Sequence, residues 1–209
     1  MRCNHNLINK FPENFPGRYM KHFTFIVAVL FVSNVAVASD AMPDQQEVQK
    51  IMQQQIKLMK PELQKKVKAL SPKTKKSLMK ILAQHSRYSE TATLRQVMTE
   101  VLSDYQSIVS GIMTDNPEQA ADSARRLANH RIPVGGLLPY MGMENISDER
   151  LAILESFNDS VEGNAKKLAS AADAGDMSSA ASLLGSISSG CVACHAVFRG
   201  QPGRSNLLR

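Results

Sequence analysis

The chain has 209 residues, three cysteines and a formal net charge of +6 at pH 7. Without its first 38 residues, an upstream segment followed by a predicted export signal, about 170 remain, enough for one domain with a hydrophobic core and a small appendage. No nucleic-acid-binding motif accompanies the positive charge, which argues against nucleic acid as a partner. No long run alternates apolar and polar residues, so we expect helices throughout.

The N-terminal part predicts a signal peptide at residues 20–38. Met20-Lys21-His22 is a basic start, an apolar run follows, and Ala36-Val37-Ala38 is a small-x-small cleavage site. We expect residues 1–19 to be an upstream segment and the mature, periplasmic chain to begin at Ser39. A transmembrane anchor is the alternative, but the apolar run is shorter than the roughly 20 residues that a span needs.

Residues 39–87 predict a helical extension in which basic residues are concentrated. From Lys50 to Arg87 there are eleven Lys or Arg residues and one acidic residue, Glu62, whereas residues 88–209 have ten basic and fourteen acidic residues. Pro61 and Pro72 separate the predicted helices, and Ser71 is placed to cap the last one. These helices are expected over about 43–59, 62–70 and 72–84.

The basic extension has two interpretations. Residues 50–87 could contact an acidic redox partner or an anionic membrane surface by electrostatic attraction. Alternatively, the lysines form a solvated face on helices that pack against the rest of the chain. The packing residues would be Ile51, Ile56, Leu63, Val67, Leu78, Ile81 and Leu82.

Residues 88–209 predict a domain of four helices. The first, about 91–114, has the clearest amphipathic stripe. Asn116 and Pro117 begin the second, which runs to about Arg131, and glycines and prolines then make 132–146 a loop. The third follows Ser147 and ends at Gly175, and Asp176 is placed to cap the fourth. The fourth carries one apolar face: Leu183, Leu184, Ile187, Cys191, Cys194, His195 and Phe198.

The fourth helix contains Cys191-Val192-Ala193-Cys194-His195, the spacing at which a chain takes up haem c. In that chemistry the two thiols add across the porphyrin vinyl groups and the imidazole binds the iron. A thioredoxin-type pair expects a βαβ setting and a structural zinc site needs four ligands, and the sequence provides neither. We expect Cys191 and Cys194 to bind one covalent haem c and His195 to be the proximal iron ligand.

Four helices in this order, with the haem motif in the last and Phe198-Arg199 after it, resemble the class II c-type cytochromes: cytochrome c′ and its low-spin relatives. Leu94-Arg95-Gln96 also resembles the first helix of that family, and the resemblance covers roughly residues 88–203. It implies an antiparallel four-helix bundle with covalently bound haem c, often a homodimer. The expected fold class is therefore all-α, with this bundle preceded by the basic helical segment. Arg199 is a candidate to contact a haem propionate.

The sixth iron ligand separates two functions, because a second protein ligand favours electron transfer and an open position allows gas binding. In the low-spin relatives a methionine of the first helix supplies it, so Met98 is the candidate. The family spacing from Arg95 would instead place this position at Thr99, and a methionine at core spacing can also be simple filler. Weaker candidates are Met113, Met141, Met143, His85 and His130.

These features predict a periplasmic monohaem cytochrome that carries single electrons between redox proteins and is not an enzyme. One alternative is a five-coordinate cytochrome c′ that binds nitric oxide or carbon monoxide. Another is a haem-bearing interaction subunit tethered by its basic helices. The sequence has no nucleophile elbow, phosphate-binding glycine loop or His-Glu-x-x-His motif, so any catalysis would come from the haem.

Overall fold

A computed structural model of the chain describes residues 44–198 and 205–208. All of them belong to one unit, Ser39–Arg209. These described residues form helices and two isolated bridges but no strand, so the all-α prediction is confirmed. The predicted signal peptide at 20–38 and the side chain of Arg199 lie outside the described residues.

The α-helices follow the predicted order, with one difference in the third predicted helix. A π-helical turn, Asp159–Gly163, separates α7 from α8, and two short 3-10 turns, Leu138–Tyr140 and Met143–Asn145, lie in the predicted loop. The helices are α1 (Gln45–Lys57), α2 (Pro61–Ala69), α3 (Pro72–Leu82), α4 (Leu94–Met113), α5 (Pro117–Ala128), α6 (Asp148–Leu151), α7 (Leu154–Asn158), α8 (Asn164–Asp173) and α9 (Met177–Phe198).

Capping side chains begin the helices where the sequence predicts them. Ser71 accepts a hydrogen bond from the amide of Thr74 at the start of α3, at 3.2 Å. Asn116 and Asp176 accept equivalent amide hydrogen bonds, each at 3.0 Å, at the starts of α5 and α9. Each cap satisfies one of the amide groups that have no partner in the first helical turn.

The prediction of one continuous helix from Ser147 to Gly175 is wrong. The segment is divided into α6, α7, the π-helical turn and α8. The π-helical turn adds one residue to a helical turn, so it shifts the apolar stripe that a regular period of 3.6 assumes. Glu162 is buried as a result, whereas its neighbour Val161, an apolar residue that the regular period would place in the buried stripe, is only partly buried.

Helices α4, α5, α8 and α9 pack around one apolar cluster, which we call the main core. Asp104 and Ser107 of α4 bond to Arg126 and Ser123 of α5, respectively, so these two helices run in opposite directions. The large buried residues of the main core are Ile108, Leu127, Leu168, Leu184 and Ile187.

The direction reverses again at each of the next two helices. Arg125, in the last turn of α5, forms an ion pair with Asp173 at the end of α8, whereas His130, beyond the end of α5, contacts Glu162 before α8. Gly190 of α9 lies against Val161 of the π-helical turn, and α9 begins directly after α8 ends. Helices α4 and α9 are therefore also antiparallel.

The basic extension α1–α3 packs on the rest of the unit through a second apolar cluster, which we call the second core. Lys80 of α3 forms an ion pair with Glu155 of α7. Asp148 of α6 accepts hydrogen bonds from the Thr74 hydroxyl at 2.5 Å and the Ser71 amide at 3.0 Å. The second core contains Leu63, Val67, Leu138, Met141, Leu151, Leu154 and Phe198, with Ile56, Leu78 and Ile81 packed against it.

Helix α9 is the one helix in the described part of the chain whose length and composition would allow it to cross a membrane. That property rests on length and composition alone, and many of its apolar residues are small alanines and glycines. In the structure α9 packs along α8 and contacts α4.

Candidate functional site

The Cys-x-x-Cys-His motif lies in the C-terminal part of α9, where the main core meets the second core. Cys191 packs against the main core and Cys194 packs against the second core. Both side chains are partly buried and neither sulfur is in a disulfide. Because residues three apart lie on nearly the same face of a helix, the two thiols are presented side by side.

Burial raises the pKa of both thiols above the ordinary value of 9.0, and for Cys194 the proximity of Cys191 raises the pKa further. The thiols are therefore protonated at neutral pH. A thioredoxin-type pair has the opposite property, since its attacking cysteine has a lowered pKa. The environment of the motif does not favour thiol-disulfide exchange.

The side chain of His195 is exposed and forms no hydrogen bond with the described residues. The sequence predicts it on the apolar face of α9, together with Leu184, Ile187 and Phe198, which are buried. The buried face of α9 continues through Cys194 to Phe198 in the second core, but His195 belongs to neither core, so the expectation that it shares this face in the interior is wrong. The imidazole therefore remains accessible to a ligand from outside α9.

Helix α4 faces α9 with its N-terminal half level with the haem motif. Tyr105 of α4 and Ser188 of α9 lie 2.5 Å apart. Met98 precedes Tyr105 by seven residues and His195 follows Ser188 by seven, so in antiparallel helices both lie about 10 Å from this contact in the same direction. Met98 and His195 are at the same height along the two helices.

Burial distinguishes Met98 from its neighbour Thr99. Met98 is partly buried, whereas Thr99 is exposed and its hydroxyl donates a hydrogen bond to the carbonyl oxygen of Arg95 at 2.9 Å. Met98 belongs to neither of the two cores in the described residues. Its side chain is therefore available for a contact at the level of His195, and that of Thr99 turns away.

The other methionine candidates differ in position. Met113 is 74% exposed at the far end of α4. Met141 is buried in the second core, and Met143 packs against the same core together with Cys194. The structure thus brings two loop methionines near Cys194, although neither follows the pattern of the first helix.

The two histidine candidates lie together, with a third residue that the sequence does not single out. His85 follows α3, His130 follows α5, and Glu162 lies in the π-helical turn. The Nε2 atoms of His85 and His130 are 3.3 and 3.2 Å from the same carboxylate oxygen, Oε1 of Glu162. We call these three residues the His-Glu cluster. Both imidazoles are directed to Glu162 in this cluster.

The His-Glu cluster is buried and charged. Burial opposes ionisation of Glu162, but the hydrogen bond from His130 and the proximity of His85 outweigh it and lower its pKa to about 2. Burial also opposes the charged form of His130, yet the hydrogen bond and negative charge of Glu162 raise its pKa. His130 therefore has a specific carboxylate partner, Glu162, in addition to its position after the C-terminal end of α5.

No sequence signal marks this cluster, because its members come from three separate segments. In the described residues it is the one group of three or more His, Cys, Asp or Glu side chains whose ligand atoms lie within 4.8 Å of one another. Among the described residues, Cys191 and Cys194 therefore belong to no such set of metal-ligand side chains.

The basic extension keeps most of its lysines in solvent. Lys65, Lys68, Lys73, Lys76 and Lys80 are exposed, and the apolar sides of α2 and α3 face the second core. An open groove between α1, α2 and α3 is lined by Met52, Ile56, Val67 and Met79, among others. The extension is thus both packed on its apolar side and basic on its outer side.

Comparisons with protein-family models, with curated proteins and with solved structures found no match to this chain.

Proposed function

We propose that this protein is an exported monohaem c-type cytochrome that carries single electrons between periplasmic redox proteins. The strongest support is the Cys191-Val192-Ala193-Cys194-His195 sequence within one helix, α9. Its two thiols are unpaired and adjacent, and its imidazole is exposed without a hydrogen bond to the described residues. This is the set of groups that two thioether bonds and one axial ligand require.

When bound, haem supplies the redox centre that accepts and releases one electron. Cys191 and Cys194 would tether the group to α9, and His195 would hold the iron with a neutral imidazole. The residues around the thiols are apolar, since each sulfur packs against one of the two cores. An apolar surrounding limits solvent access and thereby tunes the reduction potential.

The fold that we propose for residues 88–209 is the antiparallel four-helix bundle of the class II c-type cytochromes. Its helices would be α4, α5, the divided segment from α6 to α8, and α9. The support is the alternation of direction from α4 to α9 and the position of the motif near the end of the last helix. Helical bundles commonly hold such cofactors between facing helices.

Electron transfer is favoured over gas binding by the position of Met98. The residue is partly buried and level with His195, so it could supply a thioether sulfur as the sixth ligand. A six-coordinate iron exchanges electrons without releasing a ligand, whereas gas binding needs an open position. Met98 is therefore the residue on which the choice between the two functions depends.

The exposed lysines of α2 and α3 support a docking role for the extension. They would attract an acidic redox partner, with electrostatic steering that weakens as salt is added. In the two other readings, these lysines would contact anionic lipid or tether the protein to an oxidoreductase.

The test is the optical spectrum of the purified mature protein, oxidised and reduced, with and without carbon monoxide. An electron carrier with two protein ligands should give a low-spin spectrum that carbon monoxide changes little. A high-spin spectrum that shifts with carbon monoxide would instead assign the protein to the gas-binding class. A protein purified without haem from a host that attaches haem c would contradict both.

A further inference from the structure

The His-Glu cluster takes its carboxylate from the π-helical turn and has the composition of a metal site. It combines two imidazoles and one carboxylate, the ligand types that Zn²⁺ and related divalent metals prefer. His85 is 1% exposed and Glu162 is 6% exposed, so the three ligand atoms meet inside the protein. None of the three residues takes part in the proposed attachment of haem or in the proposed ligation of its iron.

Backbone carbonyl groups orient both imidazoles. Nδ1 of His85 lies 3.1 Å from the carbonyl oxygen of Ile81, and Nδ1 of His130 lies 2.9 Å from that of Arg131. A carbonyl oxygen only accepts hydrogen bonds, so each Nδ1 carries a hydrogen. In the neutral rings the lone pairs are then on the Nε2 atoms, which both point to Glu162. Metal-binding histidines are held in this way by an outer hydrogen bond.

The distances agree with a shared metal ion. Zn²⁺ binds nitrogen and oxygen at about 2.0–2.2 Å in a tetrahedral arrangement, which places neighbouring ligand atoms about 3.4 Å apart. The two distances from the Nε2 atoms to Oε1 of Glu162 are 3.2 and 3.3 Å. The geometry around His85 is unsuitable for a hydrogen bond, because its Nε2 has no hydrogen-bond partner despite this short distance.

Further polar atoms at the cluster lack partners. Oε2 of Glu162 is buried and accepts no hydrogen bond. The same is true of Oδ1 of Asn158, which lies one turn earlier in the same segment. Buried polar atoms are nearly always paired, so several unpaired atoms in one place need an explanation. A metal ion bound by Glu162, His85 and His130 provides one, with the remaining oxygen atoms available to complete its coordination.

The backbone that carries Glu162 is unusual and is held from the opposite side. Glu162 lies in a π-helical turn, a structure that occurs frequently at functional sites. Ser160 and Val161 of the same turn pack against Gly190 of α9, directly before Cys191. The turn thus directs the Glu162 carboxylate to the two histidines, while Ser160 and Val161 of the same turn pack against the residue that precedes the haem motif.

We propose that His85, His130 and Glu162 supply three of the ligands of one divalent transition-metal ion of the Zn²⁺ class at a buried site. The site ties three segments together: the end of the basic extension, the end of α5 and the π-helical turn. Since no ligand comes from α9, the site is independent of the haem and of the proposed electron transfer. Metal binding would displace the proton that His130 shares with Glu162.

The test uses the untagged full chain as purified, with zinc as the probe. After metal removal with a chelator and dialysis, Zn²⁺ is added back and zinc per chain is measured by elemental mass spectrometry, separately from haem iron. The variants are Glu162→Gln, which keeps the shape of the side chain, and His130→Gln. Glu149→Gln, at an exposed glutamate, is the matched control.

Wild-type protein and Glu149→Gln should each retain one zinc ion per chain. Both cluster variants should bind zinc more than about 100-fold more weakly, since even outer-shell changes cost 10- to 100-fold. Circular dichroism and haem content verify that the variants fold, and zinc should raise the melting temperature of wild type and of Glu149→Gln but not that of the two cluster variants. Failure of the wild type to bind Zn²⁺, or equal binding by Glu162→Gln and His130→Gln, would overturn the proposal.

Discussion

Tyr105 and Ser188 join α4 to α9 by a hydrogen bond of 2.5 Å between their hydroxyl groups. The Ser188 hydroxyl also contacts the carbonyl oxygen of Leu184 at 2.9 Å, which can only accept, so Ser188 donates there and Tyr105 donates to Ser188. Since Met98 and His195 are each seven residues from this contact, the bond places them at the same height along the two helices.

Removing this hydroxyl should loosen the pair of helices. Tyr105→Phe keeps the aromatic ring in the main core but removes the bond, so we expect the free energy of unfolding to fall by about 1 kcal/mol. Urea denaturation measures this change in the free energy of unfolding, and Ser186→Ala, on the exposed face of α9, is the control. Equal stability of Tyr105→Phe and wild type would show that the bond does not fix the two helices.

Two glycines of α9 should respond oppositely to the same substitution. A Cβ atom at Gly190 would lie 2.9 Å from side-chain atoms of both Ser160 and Val161, whereas one at Gly185 would meet nothing within 4 Å. Gly190→Ala should therefore destabilise the fold by about 1–3 kcal/mol through overpacking. Gly185→Ala should stabilise it by up to about 1 kcal/mol through helix propensity. Chemical denaturation of both variants measures the difference, and a similar effect at both positions would contradict the close contact at Gly190.

The contact of α6 with α3 should weaken in acid. Hydrogen bonds from the Thr74 hydroxyl and the Ser71 amide lower the pKa of Asp148 below its ordinary value of 3.8. As the pH falls, Asp148 is protonated in the unfolded chain before it is protonated in the folded protein. The stability that its hydrogen bonds contribute is therefore present above pH 3.8, and it is lost as the pH falls through the lower pKa of Asp148 in the folded protein. Unfolding free energies of wild type and Asp148→Asn, at neutral pH and at several values below 3.8, measure it. We expect Asp148→Asn to be less stable at neutral pH and less sensitive to acid, and an identical acid response in the two proteins would contradict this.

Met98 and Thr99 offer a matched pair for the sixth iron ligand. Met98→Ala should remove the sulfur-to-iron charge-transfer band of the oxidised protein and open the iron to carbon monoxide, whereas Thr99→Ala should leave the spectrum unchanged. Optical spectra of the two variants beside wild type provide the measurement. A sulfur band that persists in Met98→Ala would direct attention to Met141 and Met143, which share the second core with Cys194.

Local features of this fold could be predicted from the sequence. Ser71, Asn116 and Asp176 cap helices where their side chains can reach the first free amides, and that chemistry needs only a few neighbouring residues. The same holds for the two cysteines, whose spacing within one helix places them side by side.

Features that depend on contacts between distant segments could not be predicted. The π-helical turn shifts the helical period at Asp159–Gly163. Its residues Ser160 and Val161 pack closely against Gly190, which belongs to another helix. His85 and His130 are recognisable singly, but their shared partner Glu162 becomes evident only when three segments fold together. The exposure of His195 likewise depends on how the main core and the second core pack against α9, since His195 belongs to neither.

The covalent attachment of haem to Cys191 and Cys194 is the central claim, and the intact mass of the purified protein tests it most directly. From a host that attaches haem c, we expect the mass of a chain beginning at Ser39 plus one haem, with pigment that survives acid-acetone extraction. Replacing both cysteines by serine should remove the added mass, whereas Ser186→Ala with Ser189→Ala should keep it. A wild-type mass without haem, or extraction-resistant pigment in the double cysteine variant, would contradict the account.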